Sequence, residues 1–368
     1  MAVNSAPIGR WSAPGRVNLI GEHLDYNGGP VLPIAIDRRT VVKSRLRDDG
    51  RVRVWTDRGD GSIEFGADVS PGEVDGWGAY VAGIVWSLRE AGHQIPGADV
   101  VIESDVPVGA GLSSSAALEC GVAAALLGST GVDVPPVEVA LIAQRAENDY
   151  VGVPSGSMDQ LAAMCGRTGH ALFIDTASRP PKVEAVSADW VADGLRLLVI
   201  DTQAAHSLAD GEYAKRRAEC ESAAEELGLT HLADAGLDAV LRIDDPVVKR
   251  RVRHVITETA RTRSAVRALR DRQWNQLAGM FTASHQSLRD DFEVSAPELD
   301  VAVEASIEAG ALGARMTGGG FGGSAIALVP AERVEAVAER VAAVFAHAEF
   351  TAPRTFVVSP AEGARRDG

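Results

Sequence analysis

The chain has 368 residues, 46% of them hydrophobic and 24% charged, enough for one large or two intimate globular domains with a sizeable core. Its 36 basic against 51 acidic residues leave a formal charge of −15, so nucleic acid and anionic membrane surfaces would be repelled and neither is expected as a partner. The three cysteines, Cys120, Cys165 and Cys220, are too scattered for a disulfide framework or a zinc cluster. With no signal-peptide pattern and no apolar run long enough for a spanning helix, they point to a reduced, cytoplasmic protein.

In chain order, the first dense polar stretch is GRVNLIGEHLDYNGG, residues 15 to 29, which gathers Arg16, Glu22, His23 and Asp25 among four glycines. TVVKSRLR (40 to 47) and RVRVWTD (51 to 57) alternate on either side of a DDG turn and predict a hairpin. From 76 to 92 the spacing becomes helical, with Tyr80, Ile84 and Leu88 four apart and Gly92 as the stop. ADVVIESDVP then reads as a strand, VGAGLSSS as a loop and AALECGVAAALLG as an alanine-rich helix.

PPVEVALIAQRAENDYVG (135 to 152) predicts one helix opened by prolines, MDQLAAM a short helix, and HALFID (170 to 175) a strand. The segment 176 to 190 has the weakest pattern, and a boundary near it divides the chain into 1–180 and 181–368. The second half opens with the strand LRLLVID, turns mostly helical, and closes with strands SAIALVP and TFVVS around the helix ERVEAVAERVAAVFAHA.

PVGAGLSSSAA (107 to 117) carries the most direct chemistry. Small residues let backbone approach a ligand, and the run ends where a helix begins, so free N–H groups and the positive helix end make an anion site suited to phosphate. A loop that merely turns into a capped helix would share this composition. Glu147 falls in register with Ala140 and Ala143 on a packed helix face, so its carboxylate needs either Mg²⁺ or a partner arginine. Asp159, in the first turn of a short helix, either complements the helix dipole or serves as a general base. MTGGGFGG (316 to 323) reads as a hairpin connection or as a second loop closing over the phosphate site.

These three loops together resemble the signature regions of the GHMP small-molecule kinases, and GRVNLIGEHLDYNGG is similar to the galactokinase signature within that superfamily. The likeness continues through VLPIAID, Trp77 to Gly83, AENDYVGVPSGSMDQ and HSLADGEYAKRRAEC in the family's order. It implies an α+β fold of two domains with the active site in the cleft between them. It also implies transfer of the ATP γ-phosphoryl to the anomeric hydroxyl of α-D-galactose, with ATP as co-substrate and Mg²⁺ as cofactor.

By position, the resemblance makes Asp159 the catalytic base and Arg16 the arginine that holds it ionised. It assigns Glu22, His23, Asp25, Gly156 and Tyr213 to the sugar hydroxyls, a ligand that demands many directional donors and acceptors. The backbone of Gly109, Ala110, Gly111, Leu112, Ser113, Ser114 and Ser115 would cradle the phosphates, Ser115 and Glu147 would sit near Mg²⁺, and Trp77 and Tyr80 near adenine. Tyr80 reads equally as a core residue of its helix. The chain departs from the family at Leu24, where threonine is usual, and at Ser155 and Ser157, where cysteine and isoleucine are usual. A small-molecule sugar and ATP are the implied partners, with a monomer favoured. The alternatives are a kinase for another sugar, such as N-acetylgalactosamine or arabinose, and a sugar- and ATP-binding sensor without turnover.

Overall fold

The structure, a computed structural model, describes residues 8–58, 61–204 and 209–367, the side chains of 209 and 210 excepted. The first half runs β1 (Gly9–Asn18), a single 3-10 turn at Asp25–Asn27, β2 (Pro30–Val31), β3 (Pro33–Leu46), β4 (Arg51–Thr56), β5 (Ser62–Gly66), α1 (Trp77–Glu90), β6 (Ala98–Ser104), α2 (Ser114–Thr130), α3 (Pro136–Arg145), α4 (Met158–Cys165), β7 (His170–Asp175) and β8 (Lys182–Ser187). The second half runs β9 (Leu195–Asp201), α5 (Ala209–Leu227), α6 (Ala239–Arg242), α7 (Pro246–Arg270), α8 (Trp274–Ser287), α9 (Pro297–Glu308), β10 (Gly313–Thr317), β11 (Ser324–Pro330), α10 (Val334–His347), β12 (Arg354–Val358) and β13 (Arg365–Arg366).

Three sheets organise these elements: β13-β1-β3-β6-β4-β5, β10-β11-β9-β12 and β2-β7-β8. The alanine-rich α2 lies across β1 and β3, and it can approach closely because its buried face is made of small residues such as Ala116, Ala117, Ala123 and Gly121. α8 and α9 back β10 in the second half. Fully buried side chains such as Phe281, Phe292 and Phe345 anchor that layer, each contributing on the order of 2–3 kcal/mol by burial. α7 has the clearest start signal: Pro246 stands at its first position and the Asp245 carboxylate accepts the Val247 and Val248 N–H groups at 2.7 and 3.0 Å.

Two expectations need correction, and one segment without a predicted element gains a strand. The strands at 40–47 and 51–57 are both present, but they do not pair as a hairpin: β6 lies between them, antiparallel to β3 and parallel to β4. Alternation of apolar residues tells which face of a strand is buried, and it leaves the partner open. The predicted helix over 135–152 is α3 followed by a π-helical turn at Ala146–Val151. The weakly patterned 176–190 holds β8, which pairs with β7 from His170↔Ser187 to Asp175↔Lys182. β8 is mostly solvent-exposed along its length, so its residues give little apolar signal.

Candidate active site

Two pockets are linked by a contact between Ser115 of one and Glu147 of the other. The first is polar and is lined by Arg16, Glu22, His23, Asp25, Gly156 and Asp159, with Tyr213, Gly318 and Gly319 on its far side. The second is more apolar and includes Trp77, Tyr80, Ile102, Leu118, Ser114 and Ser115. The loop of residues 109–113, opening into α2, bonds Asp159 of the first pocket through Ser113 and is flanked by Val108 and Ser114 of the second.

That loop takes its shape from left-handed backbone at Gly109, Gly111 and Ser113. Ala110 and Leu112 turn their side chains into the core, so they offer only backbone to the site. The Ala110 carbonyl accepts the Ser324 hydroxyl at 2.6 Å and the Leu112 carbonyl accepts the Arg16 N–H at 3.1 Å. A Cβ on Gly318 would stand 3.0 Å from the Gly111 carbonyl, so the two glycine runs touch backbone to backbone. The run 318–323 is both the β10–β11 connection and a wall of the polar pocket.

Asp159 projects from the first turn of α4. Arg16, buried on β1, grips it with two parallel bonds, Nε to Oδ1 at 2.8 Å and Nη2 to Oδ2 at 3.0 Å. Its third nitrogen, Nη1, donates to the Gly111 carbonyl at 2.5 Å, tying the carboxylate to the glycine-serine loop. Ser113 adds its hydroxyl to Asp159 Oδ2.

Asp25 lies beside this pair. Burial and the neighbouring Asp159 push its carboxyl up to about 6. A Cβ at residue 156 would fall 1.8 Å from Asp25 Oδ2, so only glycine leaves room for this carboxylate. His23, at φ 64°, holds Tyr26 Oη at 2.9 Å through Nδ1 and packs on Phe292 at 4.7 Å between ring centroids. Burial, then the nearby His254, lowers its imidazole to about 3, so the ring is neutral at pH 7. The Tyr213 ring stands 5.4 Å from that of His23 and 5.8 Å from that of Tyr26.

Glu147 is buried, and its partners are uncharged: Ser155 Oγ at 2.5 Å and Gln160 Nε2 at 2.8 Å, both on Oε2. Ser115 also bonds this carboxylate, so the Ser115–Glu147 pair joins the wall of one pocket to the wall of the other. Burial raises the Glu147 carboxyl above the usual range.

Three family signatures match parts of the chain: "Galactokinase galactose-binding signature" at residues 2–45, "GHMP kinases N terminal domain" at 79–167 and "GHMP kinases C terminal" at 265–347. A galactokinase of Streptomyces coelicolor is 49% identical over 367 residues, spanning 98% of this chain and 94% of the relative. One of Mycobacterium tuberculosis is 48% identical over 357 residues, spanning 96% and 98%. The chain belongs to the galactokinase family. Among solved structures, the Lactococcus lactis galactokinase complexed with galactose superposes with a TM-score of 0.93 at 34% identity, covering 99% of this chain and 96% of that one. A Methanococcus jannaschii mevalonate kinase, at TM-score 0.68 and 18% identity, shares the fold.

The structure brings many of the expected residues to the two pockets, while Gly109, Ala110, Gly111, Leu112 and Ser113 line neither. Arg16, Glu22, His23, Asp25, Glu147, Gly156, Asp159 and Tyr213 converge on the polar pocket, while Trp77, Tyr80, Ser114 and Ser115 line the other. Of the expected segment HSLADGEYAKRRAEC, residues 206 to 208 lie outside the described residues. The departures from the family read differently in structure. Leu24 is core, Ser157 is buried just ahead of α4, and Ser155 holds Glu147. Sequence reasoning missed Gln160, whose amide donates to Glu147 and, at 3.1 Å, to the buried Glu119. It also missed Arg58 in the apolar pocket and Arg315 behind Glu22. Gln160 follows Asp159 directly in sequence, a signal that could have found it.

Proposed function

We infer that this ATP-dependent sugar kinase transfers the γ-phosphoryl of ATP to the anomeric hydroxyl of α-D-galactose, giving galactose 1-phosphate and ADP. The observation that carries this is the Arg16–Asp159 fork in the polar pocket, where Ser113 of the glycine-serine loop also bonds the carboxylate. Sugar hydroxyls have acceptors in Glu22 and Asp25 and a neutral ring partner in His23; the aromatic pocket suits a base. Phosphoryl transfer needs chiefly positioning and charge neutralisation, because its transition state is loose and the charge is spread over peripheral oxygens.

In this reading Asp159 accepts the proton of the attacking hydroxyl as its oxygen bonds to phosphorus and the bond to the ADP oxygen breaks. Arg16 keeps that carboxylate oriented and offsets charge on the phosphoryl group. N–H groups at the start of α2 receive the phosphates. Ser115 and Glu147 would hold Mg²⁺, whose chemistry is to neutralise charge on the phosphate oxygens. Hard oxygen donors at one wall suit that ion, which keeps several waters and takes few protein ligands.

We further read the chain as two domains dividing near residues 176–190, with the cleft between them, and as a monomer of the cytoplasm. Three unpaired cysteines support a reducing compartment, and no helix among the described residues is long and apolar enough to cross a membrane. The test of substrate is a coupled ADP-release assay with Mg·ATP and galactose, N-acetylgalactosamine, glucose, arabinose and mevalonate. Turnover fastest with galactose is expected, and a faster rate with any other sugar would reassign the substrate. Binding of galactose, seen as a raised melting temperature, without any turnover would point to a sensor.

A further inference from the structure

Glu22 stands at the end of a line of charges, three of them buried and the last, Arg261, partly exposed, that the reaction as described does not use. Its carboxylate pairs with Arg315 and accepts the Gly318 N–H at 3.2 Å. Arg315 is 0% exposed, does not line the cleft, and donates through Nη1 to the Leu19 carbonyl at 3.0 Å. Behind it, 4.0 Å from Nη2, lies Glu258 of α7, also fully buried. Glu258 is in turn held by Arg261 Nε at 2.7 Å, the Ser284 hydroxyl at 2.6 Å and the Gly21 N–H at 3.0 Å. The order Glu22, Arg315, Glu258, Arg261 alternates in sign and sums to zero.

These four charges come from segments that lie far apart in sequence: the turn after β1, α7 and β10. Apolar side chains of similar volume would serve stability as well or better, because desolvating buried ions costs about what their attraction returns. Stability alone therefore gives no reason for the arrangement. The end of the line that reaches the cleft does. Burial pushes the Glu22 carboxyl upward, and the Arg315 charge is the largest effect opposing it. Glu258 shows the complete case: burial raises it, but Arg261, His254 and Arg315 outweigh that and hold it at about 2.

We propose that Arg315 is a positioning residue of the sugar site, fixing the Glu22 carboxylate as an acceptor for a sugar hydroxyl while Glu258 fixes Arg315 from behind. The proposal rests on placing Glu22 in the sugar wall. It makes the sugar wall depend on β10 and α7, through contacts that no sugar atom touches.

The experiment measures KM for galactose and for ATP, with kcat and a melting curve, in the wild-type chain, Glu22→Gln, Arg315→Met and Arg315→Lys. Arg315→Met should raise the galactose KM about 10- to 100-fold while the ATP KM stays within about twofold. Arg315→Lys, which returns the charge without the planar fork, should recover part of the loss. A lowered melting temperature with both KM values unchanged in the folded enzyme would mean Arg315 is scaffold alone, and would overturn the proposal. So would an equal rise in both. Should Arg315→Met fail to fold, Arg315→Lys decides by the same split: a galactose KM raised about fivefold or more supports the proposal, and wild-type values for both substrates overturn it. Glu22→Gln with an unchanged galactose KM would instead remove the sugar-wall reading beneath the proposal.

Discussion

Arg16 holds Asp159 by both carboxylate oxygens, at 2.8 and 3.0 Å, and spends its remaining nitrogen on the Gly111 carbonyl. One guanidinium therefore sets the relation between the Asp159 carboxylate and the glycine-serine loop. Lysine cannot reproduce three directed bonds from one side chain. Arg16→Lys is expected to lower kcat about 10²-fold, the scale of a misplaced reacting group, with galactose and ATP KM changed only a few-fold. Steady-state kinetics with each substrate varied in turn checks this, and a kcat within about threefold of wild type would detach Arg16 from the chemistry.

Gly156 is required by the space that Asp25 occupies. A methyl there would stand 1.8 Å from Asp25 Oδ2, so Gly156→Ala must displace the carboxylate or the loop. The expected result is a galactose KM raised about tenfold or more, with the ATP KM near wild type, because the second pocket is untouched. Equal effects on both substrates would show that the loop itself had collapsed.

Asp25 should trade stability for binding. Its folded-state pKa of about 6 lies above the ordinary value of 3.8, so it favours the folded state fully only below the unfolded value and loses that contribution as pH rises through 6. At pH 7 the ionised, enclosed carboxylate therefore opposes folding. Asp25→Asn should raise the melting temperature of the sugar-free protein at pH 7.5, with the gain shrinking as pH falls through 6, while the galactose KM rises. Melting curves across pH 5 to 8 test the sign; a variant less stable than wild type at pH 7.5 would contradict it.

Among the described residues Glu147 has no arginine to neutralise it, and its partners are Ser155, Gln160 and Ser115. If this carboxylate receives Mg²⁺, Glu147→Gln should raise the Mg²⁺ concentration for half-maximal rate about tenfold or more at saturating ATP. Direct titration of Mg²⁺ by calorimetry in the presence of a non-hydrolysable ATP analogue gives a second readout. An unchanged metal dependence would assign Glu147 to packing.

Away from the site, α2 and β1 meet at Gly128, where a Cβ would approach Trp11 Nε1 to 2.5 Å. Gly128→Ala is expected to destabilise the fold by about 1–3 kcal/mol through overpacking, leaving both KM values unaltered. Denaturant unfolding measures the first and steady-state kinetics the second.

Much of this was legible in the sequence because the relevant signals are local. Helical spacing placed α1 and alanine richness placed α2, and the density of polar residues in 15–29 marked a segment that lines the polar pocket. Glu147 is buried beside Ala140 and Ala143, as helical register required. What escaped was non-local. Nothing within 40–57 announces that β6, some forty residues on, will separate its two strands. The π-helical turn at Ala146–Val151 has no compositional mark against an ordinary helix. Arg315 looks like any arginine ahead of a glycine run, and only the meeting of β10 with the turn after β1 shows that it faces Glu22.

The most direct test of the central claim is Asp159→Asn, which removes the base while keeping a side chain that Arg16 and Ser113 can still contact. Single-turnover transfer from Mg·ATP to galactose, with galactose binding followed separately by thermal shift, should show a rate lowered about 10²- to 10⁴-fold and binding retained. Near-normal transfer by a folded, galactose-binding Asp159→Asn protein would contradict Asp159 as the base and return the question of what accepts the proton.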